Sequence, residues 1–367
     1  MNVSAKAKAK PAAAAEVVSY SNALLEVMDG ALGGNPNVLI LGQGADDFKG
    51  IFGSTTGLAK KYGGDRVMDM PLMEEGMTGI ALGLALNGVY PILSHIRSDF
   101  VLLSANQIIN LISKYKYMFG GLYSIPLMIR TVVGRSWGQG AQHSQSLQSL
   151  FAHIPGLTIV MPSSSDTVLD TYPYLIEKHR APVITFEHRM LYNLDFEVHR
   201  GAVAAVKNPL SSRLVRGGSD LTIVATSIMV LEARRAATWL EEHGGISCEI
   251  IDLHCLSHID HDMIVSSVAK TGRLLVLDTS WPAFGTAAEV CRIVAENNPA
   301  ALKAPVKTVG MAPAPCPTAK ALEDLYYPNL STVVDAAAKL IMGPKHRIEL
   351  PHEKTMSDIY KKFRGPF

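Results

Sequence analysis

Cysteine is scarce in this sequence: four residues in 367, at Cys248, Cys255, Cys291 and Cys316, with no CxxC pair among them. That excludes a disulfide scaffold, and the thiols are expected to be reduced and mostly buried in a cytoplasmic protein. Charge is scarce too, at 18% of residues with a formal net charge of +1. Without a field of one sign, neither a nucleic acid nor an acidic polymer is expected as a partner. No uninterrupted apolar run reaches the ~18 residues of a membrane span. The start lacks the continuous apolar core of a secretory signal, so none is expected. A GxxxxGK[ST] phosphate loop and the glycine spacing of a dinucleotide fold are also missing. What remains is a chain that is 48% hydrophobic, with 30 glycines. At this length it can build two domains with a sizeable core, and its low charge implies considerable surface buried between subunits.

Residues 1–16, with their AKAKAK and AAAA runs, cannot build a core and are expected to form a disordered tail. Residues 17–200 then alternate between strand and helix signals. The expected strands are Val38–Leu41, Arg66–Met68, Tyr90–Ser94, Ile125–Val133, Leu157–Met161 and Val183–Phe186. The expected helices are Ser19–Leu32, one opening at Glu74, a long one over Ser98–Met118, and Asp166–Glu177. Strands separated by helices of this length argue for a parallel sheet covered on both faces. Periodicity fades before and through residues 201–218, the expected linker. It resumes over residues 219–343 as a second, smaller α/β domain, and a basic C-terminal extension occupies residues 344–367.

The stretch Asp69–Pro91, DMPLMEEGMTGIALGLALNGVYP, is the centre of the first domain. Its helix opens with Glu74 and Glu75 and carries Gly76, Gly79 and Gly83. Each glycine costs a soluble helix about 1 kcal/mol relative to alanine, so three of them imply a close neighbour. The two acids fit a helix dipole as well as a catalytic role. A second stretch, GRSWGQGAQHSQS over Gly134–Ser146, offers a flexible backbone bearing one imidazole, His143. Histidine is the commonest general acid or base, and equally a polar residue that a loop can satisfy. A third cluster, His254, Cys255, His258, Asp260 and His261, has the irregular spacing of no standard zinc site, and Asp260 is placed to cap a helix. No metal site is assigned to it.

Taken together, DMPLMEEGMTGIALGLALNGVYPI, FVLLSANQIINLISKYKYMFGG and GQGAQHSQSLQSLFAHIPGLTIVMPSS resemble the β subunit of thiamine-diphosphate-dependent 2-oxo acid dehydrogenases. These are the decarboxylating components of pyruvate, branched-chain and acetoin type complexes, within the transketolase superfamily. PVITFEHRMLY, DTSWPAFGTAAEV and ALEDLYYPNLSTVVDAA extend the resemblance from Val17 to Ile341. It implies two doubly wound α/β domains, a transketolase-like pyrimidine-binding domain followed by a transketolase C-terminal domain. Glu74 matches the family glutamate that hydrogen-bonds N1′ of the cofactor's aminopyrimidine and promotes the imino tautomer. Burial raises a carboxyl pKa, which suits such a group to passing a proton. Phe100 matches the aromatic residue packed on the aminopyrimidine, Ile96 falls near the same face, and His143 matches the active-site histidine that assists acyl transfer.

The superfamily's GDG motif for Mg2+ and diphosphate does not occur in the sequence. Magnesium needs oxygen ligands, so the resemblance places them on a partner α subunit, in an α2β2 heterotetramer with thiamine diphosphate at the α/β interface. The expected reaction is oxidative decarboxylation of a small, pyruvate-like 2-oxo acid, with acyl transfer to a lipoyl-bearing acyltransferase core. A split transketolase-like subunit and a non-catalytic β-like scaffold are the alternatives. The chain departs from the family at Gln43 and Asn106, where acids are usual, at His254, Ser257 and His258, and in the Glu177–Pro182 loop associated with potassium.

Overall fold

The structure is a computed structural model describing residues 15–134 and 138–352. The expected N-terminal tail up to residue 14, and the extension from residue 353 onward, lie outside the described residues. The first domain holds a six-stranded parallel sheet in the order Val67–Met68, Val38–Gly42, Tyr90–His95, Met128–Val133, Val183–His188 and Thr158–Val160. Its inner strands, such as MIRTVV and VITFEH, are buried along their whole length, as strands covered by helices on both faces must be. The second domain holds a five-stranded sheet: Lys307–Val309, Leu274–Leu277, Leu221–Ala225, Cys248–Asp252 and Arg213–Arg216. Only the last of these runs antiparallel to its neighbour. No helix among the described residues is long and apolar enough to cross a membrane.

Several elements differ from the sequence expectation. The segment expected to be a bare linker contains the helix Arg200–Ala205 and the edge strand Arg213–Arg216. The residues Glu16–Ser19 pair antiparallel with Asp195–Val198, closing the first domain's two ends on each other. Short helices at Leu58–Tyr62, Gln148–Ala152 and Lys320–Tyr326 fill stretches to which the sequence reading assigns no element. The long helix expected over Ser98–Met118 is broken. It runs as an α turn at Ser98–Val101, a 3-10 turn at Leu102–Ser104, a π-helical segment at Asn106–Ile112 and a last α turn at Tyr115–Met118. The wide turn shows in its bonds: Ser113 donates its amide five residues back to Ile108 O at 3.0 Å, and the Ile109 carbonyl it skips accepts from Ser113 Oγ at 2.8 Å.

A buried ion pair locks the middle of the first sheet. Arg130 Nε and Nη2 donate to the two carboxylate oxygens of Glu187 at 2.8 and 2.9 Å, and Nη2 also donates to Ser54 Oγ at 3.0 Å. Tyr172 and Tyr192 donate their hydroxyls to the same carboxylate. Burial pushes the Glu187 carboxyl up, but Arg130 and the two tyrosines outweigh it and hold it below the usual carboxylate range.

The domains are joined by backbone as well as by side chains. Met161 N donates to His254 O at 2.7 Å and Leu256 N to Ile159 O at 2.8 Å, so the end of one sheet is stitched to the loop following the other. Ser257 Oγ accepts from Ile159 N and donates to Leu157 O. Arg213 clasps Asp170 at 2.5 and 2.8 Å. Asp252 is fully buried at this seam, accepting from Ser163 Oγ at 2.6 Å and His254 N at 2.9 Å. Burial pushes its carboxyl up to about 6, against the opposing hydrogen bond from Ser163 and the charge of Arg213.

Two outcomes are expected. Arg130→Met leaves Glu187 charged and buried without its guanidinium, and should cost about 3–5 kcal/mol of stability, read from the urea unfolding midpoint. For Asp252, the folded chain holds its proton more tightly than the unfolded chain does. Its contribution is therefore favourable at low pH and is lost as pH rises from 3.8 through about 6. The melting-temperature offset of Asp252→Asn from wild type should be more favourable at about pH 7 than at about pH 4.5. Equal offsets at the two pH values would show that Asp252 titrates like an exposed aspartate.

Candidate active site

From the strand Val38–Gly42 the chain crosses to Val67–Met68 on one side, then through the helix Glu74–Leu86 to Tyr90–His95 on the other. This reversal makes a crevice at the carboxyl ends of Val38–Gly42 and Tyr90–His95, where open α/β sheets take their ligands. The crevice floor is tight. A Cβ at Gly42 would come within 2.9 Å of Ser94 Cβ and 3.0 Å of Ile51 Cδ1, which explains the glycine.

Glu74 begins the helix that follows the strand Val67–Met68, and only 9% of it is exposed. No side chain among the described residues bonds its carboxylate. Its carboxylate oxygens are not among the fully buried polar atoms without a partner, so the largely covered side chain keeps its charged end accessible. Its turn is held from behind: Thr78 Oγ1 donates to Glu74 O at 2.8 Å, lies 2.9 Å from Ser104 Oγ, and sits 3.4 Å from His95 Nε2. Burial pushes the His95 imidazole down to about 4, so this ring is neutral. Glu75 is exposed and already engaged, accepting from Asn106 Nδ2 at 3.0 Å and Gln107 Nε2 at 3.5 Å. The glycine-bearing helix therefore meets the π-helical segment here. Gly79 faces Gln107, whereas a Cβ on Gly83 would meet nothing within 4 Å.

Phe100 lies in the α turn that follows the strand Tyr90–His95, and His143 in the loop that follows Met128–Val133. The fold brings them together edge to face, ring centroids 5.2 Å apart. Both are half-buried. Ile96 is half-buried in the wall of a neighbouring cavity of about 600 Å³, also lined by Gln43, Gly44, Phe52, Arg189 and Tyr192. There the Arg189 guanidinium sits 4.2 Å over the Phe52 ring.

Sequence reasoning missed the residues that hold the histidine loop. Ser98 Oγ donates to Gln145 O at 2.7 Å, and Asp99 Oδ1 accepts from both Gln145 N at 3.2 Å and Gln145 Nε2 at 2.9 Å. From the second domain, Asp278 Oδ1 and Thr279 Oγ1 accept from Gln148 Nε2 at 3.2 and 3.1 Å. The only available signal was the adjacency of Ser98 and Asp99 to Phe100. Arg135, Ser136 and Trp137 of the same loop fall outside the described residues.

The tempting cluster at the seam is not arranged as a metal centre. Asp260 accepts from Met263 N as a helix cap, and His254 Nε2 lies 2.9 Å from Thr171 Oγ1. Burial drives the His254 imidazole well down. Among the described residues no group of three or more His, Cys, Asp or Glu side chains converges to hold a metal ion.

Comparisons with known proteins agree with this architecture. Residues 16–195 match the transketolase pyrimidine-binding domain and residues 211–333 the transketolase C-terminal domain. The chain is 40% identical over 344 residues to the acetoin:2,6-dichlorophenolindophenol oxidoreductase subunit beta of Cupriavidus necator, covering 90% of this chain and 100% of that protein. It is 35% identical over 336 residues to the mitochondrial pyruvate dehydrogenase E1 component subunit beta of Bos taurus, covering 90% and 93%. A split-gene transketolase solved as an inactive beta4 tetramer superposes with a TM-score of 0.72 at 22% identity, over 89% of this chain and 99% of that one, and shares the fold. Two transketolase-type domains in order along the chain, with relatives this similar end to end, place it in the family of E1 β subunits of 2-oxo acid dehydrogenases, within the transketolase superfamily.

Proposed function

We propose that this chain is the β subunit of a thiamine-diphosphate-dependent 2-oxo acid dehydrogenase, which decarboxylates a pyruvate-like substrate oxidatively and passes the acyl group to lipoamide. The observation that carries this reading is Glu74, a largely covered residue at the switch point of the sheet whose carboxylate bonds no side chain among the described residues. When bound, thiamine diphosphate supplies the carbanion chemistry of decarboxylation. The described residues fit the pyrimidine half of that group. Glu74 would hold a ring nitrogen through a shared proton, and Phe100 and Ile96 would supply apolar surface. His143, whose imidazole bonds no described residue, is free to donate a hydrogen bond to an oxyanion during acyl transfer. The described residues do not fit the diphosphate and its Mg2+: the sequence has no GDG motif, and among the described residues no group of three or more His, Cys, Asp or Glu side chains converges. We therefore assign those ligands to a partner α subunit.

The surface around the site supports such a partner. Leu72, Met73, Leu102 and Leu103, each within three residues of Glu74 or Phe100 in the chain, are exposed, as is Ile80 on the helix that Glu74 opens. Tyr117, Met118 and Leu122 continue the apolar exposure. Exposed apolar side chains concentrated in two stretches of one domain fit an interaction face, and the open space over Gly83 leaves room for a neighbouring helix. An α2β2 heterotetramer delivering acyl groups to a lipoyl-bearing core follows from the same reading. The four thiols are unpaired and three of them buried, in keeping with a reducing, cytoplasmic compartment. Relatives named as dehydrogenase and oxidoreductase subunits, at 34–40% identity, weigh against a ketol-transferring subunit and against a bare scaffold.

Calorimetric titration of thiamine diphosphate and Mg2+ is expected to show binding only when this chain is combined with its α-like partner. Tight binding to the chain alone would refute the shared site, and no binding in either case would refute the function. Glu74→Gln should assemble normally yet lose about 10²–10⁴-fold in turnover, the scale of a positioned proton-transfer group. For His143→Ala, transfer to lipoamide should fall by about 10²–10³-fold, with decarboxylation measured by an artificial electron acceptor falling less. Undiminished rates in both assays would remove His143 from the mechanism.

A further inference from the structure

Gln145 is held at every polar group it has on its inner side. Its carbonyl accepts from Ser98 Oγ at 2.7 Å, while its amide N–H and its side-chain Nε2 both donate to Asp99 Oδ1, at 3.2 and 2.9 Å. Ser98 and Asp99 immediately precede Phe100, and Gln145 lies two residues beyond His143. The clasp therefore spans two chain segments that are otherwise 46 residues apart in sequence, right beside the pair of rings that meet at 5.2 Å. Ser144 and Ser146, on either side of Gln145, are buried, and Asp99 itself is only 7% exposed. On the far side, Thr318 closes against the loop, since a Cβ on Gly140 would come 2.8 Å from Thr318 Oγ1.

We infer that Asp99 is a positioning residue for His143: it fixes the histidine loop to the Phe100 turn, so that the imidazole is held against the aromatic ring before any substrate arrives. The inference rests on the role proposed above for His143 and adds the device that keeps it in place. Two directed hydrogen bonds and a third from Ser98 act within two residues of the imidazole. A loop with glycines at 138 and 140, both at positive φ, has little stiffness of its own to do this. An error of about 1 Å in the placement of a reacting group can cost ~10²-fold in rate. Burial pushes the Asp99 carboxyl up, with the hydrogen bonds from Gln145 opposing it. Oδ1 remains an acceptor in either protonation state, so the clasp survives a change of charge but not the loss of the side chain.

The test uses the assembled enzyme, with Asp99→Ala to remove the acceptor and Asp99→Asn to keep it. Amide hydrogen exchange, measured with and without thiamine diphosphate, should speed up about 10-fold or more over residues 139–146 in Asp99→Ala. Exchange in the strand Met128–Val133 should stay as in wild type, and Asp99→Asn should restore the loop's protection. Acyl transfer to lipoamide should fall about 10²-fold in Asp99→Ala and recover to within about 3-fold in Asp99→Asn. The double variant Asp99→Ala/His143→Ala should be no slower than His143→Ala, because residues that act as a unit are not additive. Unchanged exchange over residues 139–146, or losses that multiply in the double variant, would overturn the inference. Should His143→Ala prove fully active, the role proposed for the imidazole fails while the exchange data still decide whether Asp99 holds the loop.

Discussion

The first domain depends on one ion pair taken out of water. Arg130 and Glu187 sit on adjacent strands at 2% and 0% exposure, a placement that would cost several kcal/mol per charge if either were left alone. The structure tolerates it by spending neighbours on it: two tyrosine hydroxyls, one serine and a threonine all bond the pair. Each of those neighbours comes from a different element. Tyr172 brings in the helix Ser165–Glu177, Tyr192 the turn after the strand Val183–His188, and Ser54 the loop beyond the strand Val38–Gly42. These same loops, together with Ile96 and Phe52, line the crevice at the carboxyl ends of the strands. The site's walls are therefore set by the same buried charges that hold the sheet together.

How much of this could be read in advance follows from the length and burial of each element. Strands that are covered on both faces, such as Val183–His188, announce themselves as apolar runs, and helices of a dozen residues or more show their period. Helices of five to seven residues, such as Leu58–Tyr62 and Lys320–Tyr326, complete too few turns to show one. Arg213–Arg216 reads RLVR, and its charged ends look like linker because it is a half-exposed edge strand. The break in Ser98–Met118 was invisible for a different reason. Apolar residues at spacings of three and four satisfy a π turn nearly as well as an α turn, so the pattern does not distinguish them.

The candidate site residues come from sequence motifs, whereas their support is visible only in three dimensions. Glu74, Phe100 and His143 carry the family's motif, so their identities could be carried over position by position. Nothing in one dimension shows that Glu74 is buried while Glu75 is solvent-facing and bonded to Asn106. Nor could it show that Thr78, His95 and Ser104 meet behind that carboxylate. Asn106 and Ser257, which the sequence reading takes as departures from the family, are both engaged. Asn106 ties two segments of the first domain together, and Ser257 helps to seam the domains.

The stitching of the two sheets has a mechanical meaning. With backbone bonds from Met161 to His254 and from Leu256 to Ile159, reinforced by Ser257, Arg213 and Gln148, the halves of the chain cannot swing apart like a clamshell without breaking main-chain hydrogen bonds. The protein is a single stiff half-mould. On the function proposed above, filling and emptying the crevice would then be a matter of what another molecule covers, not of one half of the chain closing on the other.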